Sequence, residues 1–402
     1  MGAEAFSRGA AQARAFLFFL NRLLRPGDGG HTLAGVPFRV QFAGLFDSVA
    51  SVGLADASPT HRGFGGWANG TQDLADCVER SVHLLAAHEL RHAFPSSCMR
   101  IGARYPRNSL EMVYPGAHSD LGGGYPPGSQ GKAVGGRAEL LSQVPLLEMY
   151  HQARVSGVPL LSTDEMKAKD MRPTLADLQI APRTAQLCQS YVKWANVSLA
   201  SIEDMLRQHT RYYWRWRHQR STSFERLKSY NRADGQGRQD LWESELDFRA
   251  DAAAVHRQQA VMDGKQEGKA DKAVQALARD YVPETRREQV PPDVDAFFDE
   301  MVHDSHATFY MAGPTTDEDA RKLIEMVRAK AARGEKLNSL ERRIQDHEKA
   351  HPGQLPVLTD ADTPLLLQTM RYGSRKTMET TGQKTRRETG GHIHYRRIFD
   401  KS

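Results

Sequence analysis

The pentapeptide AFSRG at residues 5–9 decides how the fold is organised, because it has the small-x-Ser-x-Gly pattern of a nucleophile elbow. In such an elbow the serine, here Ser7, stands on a tight turn between a buried strand and a helix. The stretch after it, residues 9–24, is apolar enough for a buried helix. The stretch before it, GAEA at residues 2–5, lacks the β-branched residues of a central parallel strand, so we expect the chain to start inside the catalytic fold.

The composition narrows the class of protein. A length of 402 residues favours two or three domains, and a composition that is 40% hydrophobic and 26% charged is that of a globular protein. The formal net charge of +5 gives little support to a polyanionic partner. Cys77, Cys98 and Cys188 contain no CxxC pair, so neither a disulfide framework nor a thiolate zinc site is expected. The apolar run AFLFFL at residues 15–20 is too short for a membrane span and lacks a cleavage site, so no signal peptide is expected.

Up to about residue 165 the sequence alternates between strand-like and helix-like stretches. Polar residues follow two of the predicted strands, Asp47 after one and His118 after the other. This pattern predicts an open, mostly parallel α/β sheet over residues 1–165 and a largely helical module over residues 166–402. The predicted elements are strands at 36–46 and 110–114, helices at 71–92, 140–155 and 316–349, and a hairpin around residues 390–391.

Three residues have the order and the positions that acyl transfer by serine requires. Such chemistry needs a hydroxyl, an imidazole that takes its proton, and an acid that orients the imidazole. In one large class of sheet hydrolases they occur in the order Ser, Asp, His, and this chain offers Ser7, Asp47 and His118 in that order. Each also has a structural alternative: Ser7 as a helix N-cap, Asp47 as a loop cap and His118 as a loop histidine.

Three blocks around these residues resemble the signature of one family: AFSRGAAQAR at 5–14, GLFDSVASVG at 44–53 and YPGAHSDLGGGY at 114–125. It is the α/β-hydrolase family that includes the first class of type VI secretion phospholipase effectors. VHDSH at 302–306 and YRRIF at 395–399 also resemble these effectors, so the resemblance covers nearly the whole chain.

The resemblance implies Ser7 as the nucleophile, Asp47 as the orienting acid and His118 as the base. The backbone N–H of Arg8 would supply one of two oxyanion-hole donors. Family members carry several strands before the elbow, together with the loop that provides the second donor. We therefore expect an α/β-hydrolase-like sheet that is N-terminally truncated, and Ala5 replaces the usual first glycine of the elbow.

The resemblance also implies a biological setting. The substrate would be the ester bonds of membrane phospholipids, cleaved as an antibacterial toxin without a metal or organic cofactor. The protein would be made in the cytoplasm and delivered by a type VI apparatus into the target-cell periplasm. Its partners would be a spike-protein carrier and a cognate immunity protein, with no nucleic acid, and residues 166–402 are the candidate for membrane or carrier contact. A non-catalytic remnant, or one half of a split hydrolase acting as a binding partner, is the alternative.

A second motif favours different chemistry. Residues 88–92 read His88-Glu89-Leu-Arg-His92, the HExxH pattern of zinc metallopeptidases, in which two histidines on one helical face bind zinc and the glutamate acts as base. No third ligand stands at a familiar spacing, and Pro95 follows closely. The alternative is an ordinary helix whose polar face meets solvent.

Two further clusters attract attention. Residues 211–217, RYYWRWR, alternate basic and aromatic side chains. Tryptophan and arginine suit a membrane interface, but the same pattern fits a helix that packs its aromatic rings against the catalytic domain. The side chains predicted to contact a membrane are Arg211, Trp214, Arg215, Trp216 and Arg217.

Residues 303–306, His-Asp-Ser-His, are too close in sequence to form a triad, so we expect a structural role at the junction of the two regions.

Overall fold

The computed structural model describes residues 2–27, 30–49, 71, 73–91, 94–101, 104–307, 317–357 and 391–399. The strands are β1 Gly2–Phe6, β2 Arg25–Gly27, β3 Gly30–Leu33, β4 Val36–Phe38, β5 Phe42–Phe46, β6 Ser81–Ala86, β7 Ser96–Ser97, β8 Ser109–Tyr114 and β9 Ile398–Phe399. The helices are α1 Arg8–Leu23, α2 His118–Gly122, α3 Gln143–Val155, α4 Thr163–Ala168, α5 Arg172–Asp177, α6 Pro182–Ala195, α7 Ile202–Arg220, α8 Lys228–Arg232, α9 Gly235–Met262, α10 Lys272–Thr285, α11 Pro292–Glu300, α12 Asp317–Ala332 and α13 Ser339–Ala350.

The central sheet has four parallel strands in the order β1-β5-β6-β8. Helix α1 packs on one face through Leu17 and Leu20, while α3 packs on the other through Met149. Parallel strands all end at the same sheet edge, so Ser7 after β1, Asp47 after β5 and His118 after β8 meet there. The predicted α/β-hydrolase-like class, with a helical C-terminal part, is confirmed.

The residues before Ser7 lack the pattern of a central parallel strand, and in the described sheet they form an edge strand. Residues 2–6 form β1 and pair with β5, with Ala5 opposite Leu45. In the described sheet β1 is an edge strand and is partly exposed, whereas residues 42–45 of β5 and all of β6 are buried. Glycine, alanine and glutamate are acceptable in an edge strand. Such a strand has a neighbouring strand on one side only, so it depends less on large or β-branched side chains.

The prediction of a helix at residues 71–92 is wrong. Its middle, SVHLLA at residues 81–86, is the buried central strand β6. A short apolar run fits either a buried strand or a buried helix, and periodicity alone does not separate them. Pairing on both sides, with β5 and with β8, decides for the strand.

Other elements follow the prediction more closely. Helices α1 and α3 and strand β8 lie where they were expected, whereas the predicted strand at 36–46 is split into β4 and β5. The predicted helix at 316–349 is two helices, α12 and α13, separated by Gly334 in the left-handed region (φ 71°) and by the N-cap Asn338. The predicted hairpin falls mainly outside the described residues, and Ile398–Phe399 pairs in parallel with β7.

The helices after α3 have their own core. It centres on Tyr191, Trp214, Phe297 and Phe298, all fully buried. Among the described residues, no helix has the length and apolarity needed to cross a bilayer. The predicted boundary near residue 165 stays a prediction.

Candidate active site

Ser7 occupies a strained turn between β1 and α1. Its backbone has φ 59° and ψ −125°, a conformation that L-residues rarely adopt. Backbone hydrogen bonds hold the turn: the N–H of Ser7 donates to the carbonyl of Phe46, and the Ser7 carbonyl accepts from Ala10 and Val49. Strain of this kind persists only where the surrounding structure fixes it, and it is common at functional sites.

The small residues of the elbow let β1 and α1 approach. A Cβ built on Gly9 would lie 3.8 Å from the Ala5 Cβ, an ordinary van der Waals separation. The alanine at the position where the family usually has glycine therefore fits without a clash.

The three residues singled out in the sequence lie within hydrogen-bonding distance of one another. His118 Nε2 is 2.8 Å from Ser7 Oγ, and His118 Nδ1 is 2.6 Å from Asp47 Oδ2. A carboxylate accepts the Nδ1 proton, which leaves the Nε2 lone pair of the neutral imidazole directed at the serine hydroxyl. This is the relay geometry of a nucleophile, a base and an orienting acid.

Asp47 is buried and surrounded by donors. In addition to the hydrogen bond with the His118 imidazole, the Asp47 carboxylate accepts hydrogen bonds from the backbone N–H of Ala86 (3.1 Å) and from both terminal nitrogens of Arg396 (2.8 Å each). Burial alone raises the pKa of Asp47, but the charge of Arg396 and the hydrogen bond from His118 outweigh it and hold that pKa well below its usual value. Asp47 is therefore ionised across the physiological range.

His118 is enclosed by aromatic and charged neighbours. The ring of Phe6 lies 4.4 Å from the imidazole centroid and that of Phe94 4.9 Å, while Arg91 stacks over Phe94 at 3.6 Å. Burial lowers the pKa of His118, and the hydrogen bond to Asp47 opposes it only in part. The imidazole is thus held mainly neutral near pH 7, the form that can accept a proton.

The oxyanion-hole candidate is the first residue of α1. Arg8 follows the nucleophile directly, and its N–H belongs to the first helical turn, where amides have no partner within the helix. The positive end of the helix dipole favours negative charge at the same place.

Beside β1 lies an open cavity of about 550 Å³, whose apolar lining includes Phe6, Leu121, Tyr125, Leu140 and Leu146.

Residues 88–91 of the HExxH motif do not form the helix on which two zinc-binding histidines would share a face. The first residues of the motif follow β6 in a turn, and His92 lies outside the described residues. Both ring nitrogens of His88 already have partners: Nδ1 accepts from the N–H of Gly116, and Nε2 is 3.0 Å from the Tyr191 hydroxyl.

Glu89 of the same motif supports the triad instead of a metal. Its carboxylate accepts from the backbone N–H of His118 (3.2 Å), from the Ser305 hydroxyl and from the Arg91 side chain. Burial raises the pKa of Glu89, but the charge and hydrogen bonds of Arg91, with Arg396 and His118 nearby, together outweigh it and hold that pKa at about 2. The alternative of a helix whose polar face meets solvent is wrong, because the side chains of His88 and Glu89 are buried.

The basic-aromatic cluster of α7 is internal. Trp214, Arg215, Trp216 and Arg217 are all buried, and Arg211 is partly buried against Tyr395. The arginines have acidic partners: Glu284 for Arg215, Glu245 and Asp304 for Arg217, and Asp280 for Arg211. The buried side chains have no surface to offer lipid, so the predicted membrane contact does not hold for them.

Residues 303–306 connect the helical module to the residues around His118. His303 Nδ1 is 2.6 Å from an Asp120 carboxylate oxygen, and the His303 ring stacks on Tyr125 at 3.9 Å. Asp304 pairs with Arg217 at 2.9 Å, and Ser305 donates to Glu89. These contacts agree with the structural role expected at the junction.

Sequence reasoning missed two groups that touch the triad. Arg396 and Glu89 contact Asp47 and His118 respectively, yet neither was selected. A signal for Arg396 existed in the YRRIF block at 395–399, which resembled the family without having a role. For Glu89 the motif attracted attention to a different chemistry.

A family model describes part of this arrangement. Residues 26–152 match the model of the Tle1-like phospholipase effector catalytic domain of type VI secretion systems. The resemblance seen in the sequence is confirmed over this segment. Asp47 and His118 lie inside the match, and Ser7 precedes it.

Two solved structures align with parts of the chain. An uncharacterized protein from Pseudomonas aeruginosa aligns over 99% of this chain and 57% of its own, with 24% identity and a TM-score of 0.53, so the likeness is one of fold. The chain therefore spans somewhat more than half of that protein. The Tle1 effector bound to the VgrG spike aligns over 51% of this chain and 55% of its own, with 19% identity and a TM-score of 0.31. A search of curated proteins found no match.

Proposed function

We propose that the protein is a serine esterase that hydrolyses ester bonds of membrane phospholipids. The observation that supports it best is the continuous relay from Ser7 Oγ through the His118 imidazole to the ionised Asp47, at 2.8 and 2.6 Å. The match of residues 26–152 to a phospholipase effector catalytic domain supports the substrate class.

The reaction follows from the positions of these groups. Ser7 Oγ attacks the ester carbonyl while His118 Nε2 takes the hydroxyl proton, and the N–H of Arg8 stabilises the developing oxyanion. Collapse of the intermediate leaves the acyl group on Ser7, and the lysophospholipid alcohol departs with the proton from His118. Water, deprotonated by the same imidazole, then releases the fatty acid and restores the serine. Asp47 stays ionised throughout and stabilises the imidazolium.

The proposal extends to delivery. The family-model match supports export by a type VI apparatus. The proposal further includes the periplasm of a target bacterium as the destination, a spike protein as carrier and an immunity protein as antagonist. The apolar cavity beside Phe6 has a size and lining suited to an acyl chain.

The function is tested with the purified chain and phosphatidylethanolamine–phosphatidylglycerol vesicles, with fatty acid release measured by mass spectrometry. We expect a fluorophosphonate to stop the release and its adduct to lie on Ser7. Fatty acid release that survives the fluorophosphonate but stops with a chelator would indicate a metal-dependent ester hydrolase and contradict the serine mechanism. If the chain released nothing and bound no probe, the non-catalytic alternative would replace this proposal.

The pH profile of hydrolysis should reflect the burial of His118. The imidazole must be neutral to accept the serine proton, and its pKa lies below the ordinary 6.5 because of burial. We expect kcat/KM on a short-chain ester to be constant at mildly alkaline pH and to fall as the pH drops through the His118 pKa, with the half-maximal point below pH 6.5. A half-maximal point above pH 7, with the fold intact by circular dichroism, would contradict the assignment of His118 as base.

A further inference from the structure

We propose that Arg396 is a positioning residue for the hydrolysis, fixing from the C-terminal segment (residues 391–399) the carboxylate that orients His118. This inference rests on the proposed function, because it concerns the same relay. Both terminal nitrogens of Arg396 donate to Asp47, one to each carboxylate oxygen, at 2.8 Å. The two residues are 349 positions apart in the chain.

The site is shaped for a guanidinium. Besides the two bonds to Asp47, the Arg396 side chain donates to the carbonyls of Phe94 (2.9 Å) and Ala86 (3.1 Å). A planar fork can make these bonds at once, whereas an ammonium group would have to choose among them. The Arg396 side chain is 3% exposed and that of Asp47 is fully buried, so water does not substitute for either partner.

The bidentate pair also fixes the direction of Asp47. A carboxylate with one donor on each oxygen cannot rotate without breaking a charge-assisted bond. Its Oδ2 is therefore held toward His118 Nδ1, at 2.6 Å. Rotation of the carboxylate would allow the imidazole to take the other tautomer, whose Nε2 carries a proton and cannot act as base.

The segment that carries Arg396 is anchored at both sides. Toward the sheet, β9 pairs with β7, and the N–H of Ser96 donates to the Arg397 carbonyl. Toward the helical module, the indole N–H of Trp214 donates to the His392 carbonyl, and the N–H of His392 donates to Asp251. The aromatic cluster of α7 thus holds the segment that reaches the triad.

The charge of Arg396 determines the direction in which the pKa of His118 should change when Arg396 is replaced. The charged groups around His118 are Asp47, Glu89 and Arg91, with Arg396 beyond Asp47. Arg396 balances part of the Asp47 charge that the imidazole would otherwise face. Its removal leaves Asp47 free to stabilise the imidazolium, and this change raises the pKa of His118.

The test is a titration of His118 by NMR, which reads the imidazole without requiring turnover. In Arg396→Gln we expect the pKa of His118 to rise by about one unit relative to wild type. The downfield proton of the Nδ1–H to Asp47 bond should also broaden or shift. Arg397→Gln is the matched control, because it removes the same charge from an exposed neighbouring side chain, and it should leave both signals unchanged.

Kinetics and a conservative variant separate position from charge. Arg396→Lys keeps the charge, so the His118 pKa should stay near that of wild type, but kcat should fall about tenfold to a hundredfold because the carboxylate is less well held. The lysine variant also serves if the glutamine variant does not fold. An unchanged His118 pKa in Arg396→Gln, or an unchanged kcat in Arg396→Lys, would overturn the proposal. Absence of Ser7-dependent turnover in wild type would count against the proposed function instead, and the titration would still decide the role of Arg396.

Discussion

Ser7→Ala should lower hydrolysis of phospholipid vesicles and short-chain esters by a factor on the order of 10⁴–10⁶, leaving only the residual rate that binding and oxyanion stabilisation supply. The reason is geometric. Ser7 Oγ is the atom held 2.8 Å from His118 Nε2, at the apex of the strained turn. Initial rates of fatty acid release, compared with those of wild type at the same pH, measure the effect.

The serine variant needs a matched control. Ser190→Ala removes a hydroxyl from α6, where it bonds only Asp293 among the contacts described, and it should keep full activity. His118→Ala should lose about as much as Ser7→Ala, and the double variant should lose little more, because the two residues act as one unit. Additive losses, or more than a tenth of the wild-type rate in Ser7→Ala, would mean that the nucleophile is elsewhere.

Arg217→Met should reduce the free energy of unfolding by about 3–5 kcal/mol, the usual cost of leaving buried carboxylates without their cation. Arg217 is 2% exposed and pairs with Glu245 (3.0 Å) and Asp304 (2.9 Å), which are also buried. Burial raises the pKa of Asp304, but the Arg217 charge, the neighbouring His392 and His306 and the hydrogen bond from Ser244 together outweigh it and hold that pKa well below its usual value. Equilibrium unfolding in urea, followed by tryptophan fluorescence, measures the change.

The control for this loss is an arginine on the surface. Arg172→Met breaks an ion pair with Asp170 whose side chains are 83% and 74% exposed, so its effect should be within about 1 kcal/mol. Equal effects for the two variants would show that the Arg217 network adds nothing beyond a surface pair. Because Asp304 is next to Ser305, which bonds Glu89, the acceptor of the His118 N–H, we also expect Arg217→Met to lower activity before it unfolds the protein.

Local pattern was sufficient for some parts of the molecule. The elbow, the order of Ser7, Asp47 and His118, and the helix after the elbow were predictable because each depends on a few neighbouring residues and on the rule that parallel strands end at one edge. Strand β8 and helix α3 were predictable for the same reason. The distances between the three side chains agree with that rule, and their catalytic role is what the experiments above test.

Elsewhere the local signal was ambiguous. Residues 81–86 fit a helix or a strand, and only pairing with β5 and β8 made them β6. The RYYWRWR stretch fits a membrane interface or a core, and only its acidic partners on α9, α10 and the 303–306 segment made it internal. In each case the deciding contacts come from residues distant in the chain.

The sequence by itself therefore determined the elbow, the three residues of the relay and the α/β class, because these follow from short motifs and strand ends. Only the tertiary structure brought Arg396 to Asp47, since a contact across 349 residues leaves no periodicity or spacing to detect. It also made Glu89, which the sequence offered only as part of a metal-binding motif, the acceptor of the His118 N–H. The physical reason is the burial of charge. Asp47 is removed from water at the sheet edge, and the cation that stabilises it comes from the part of the chain that folds back over that edge.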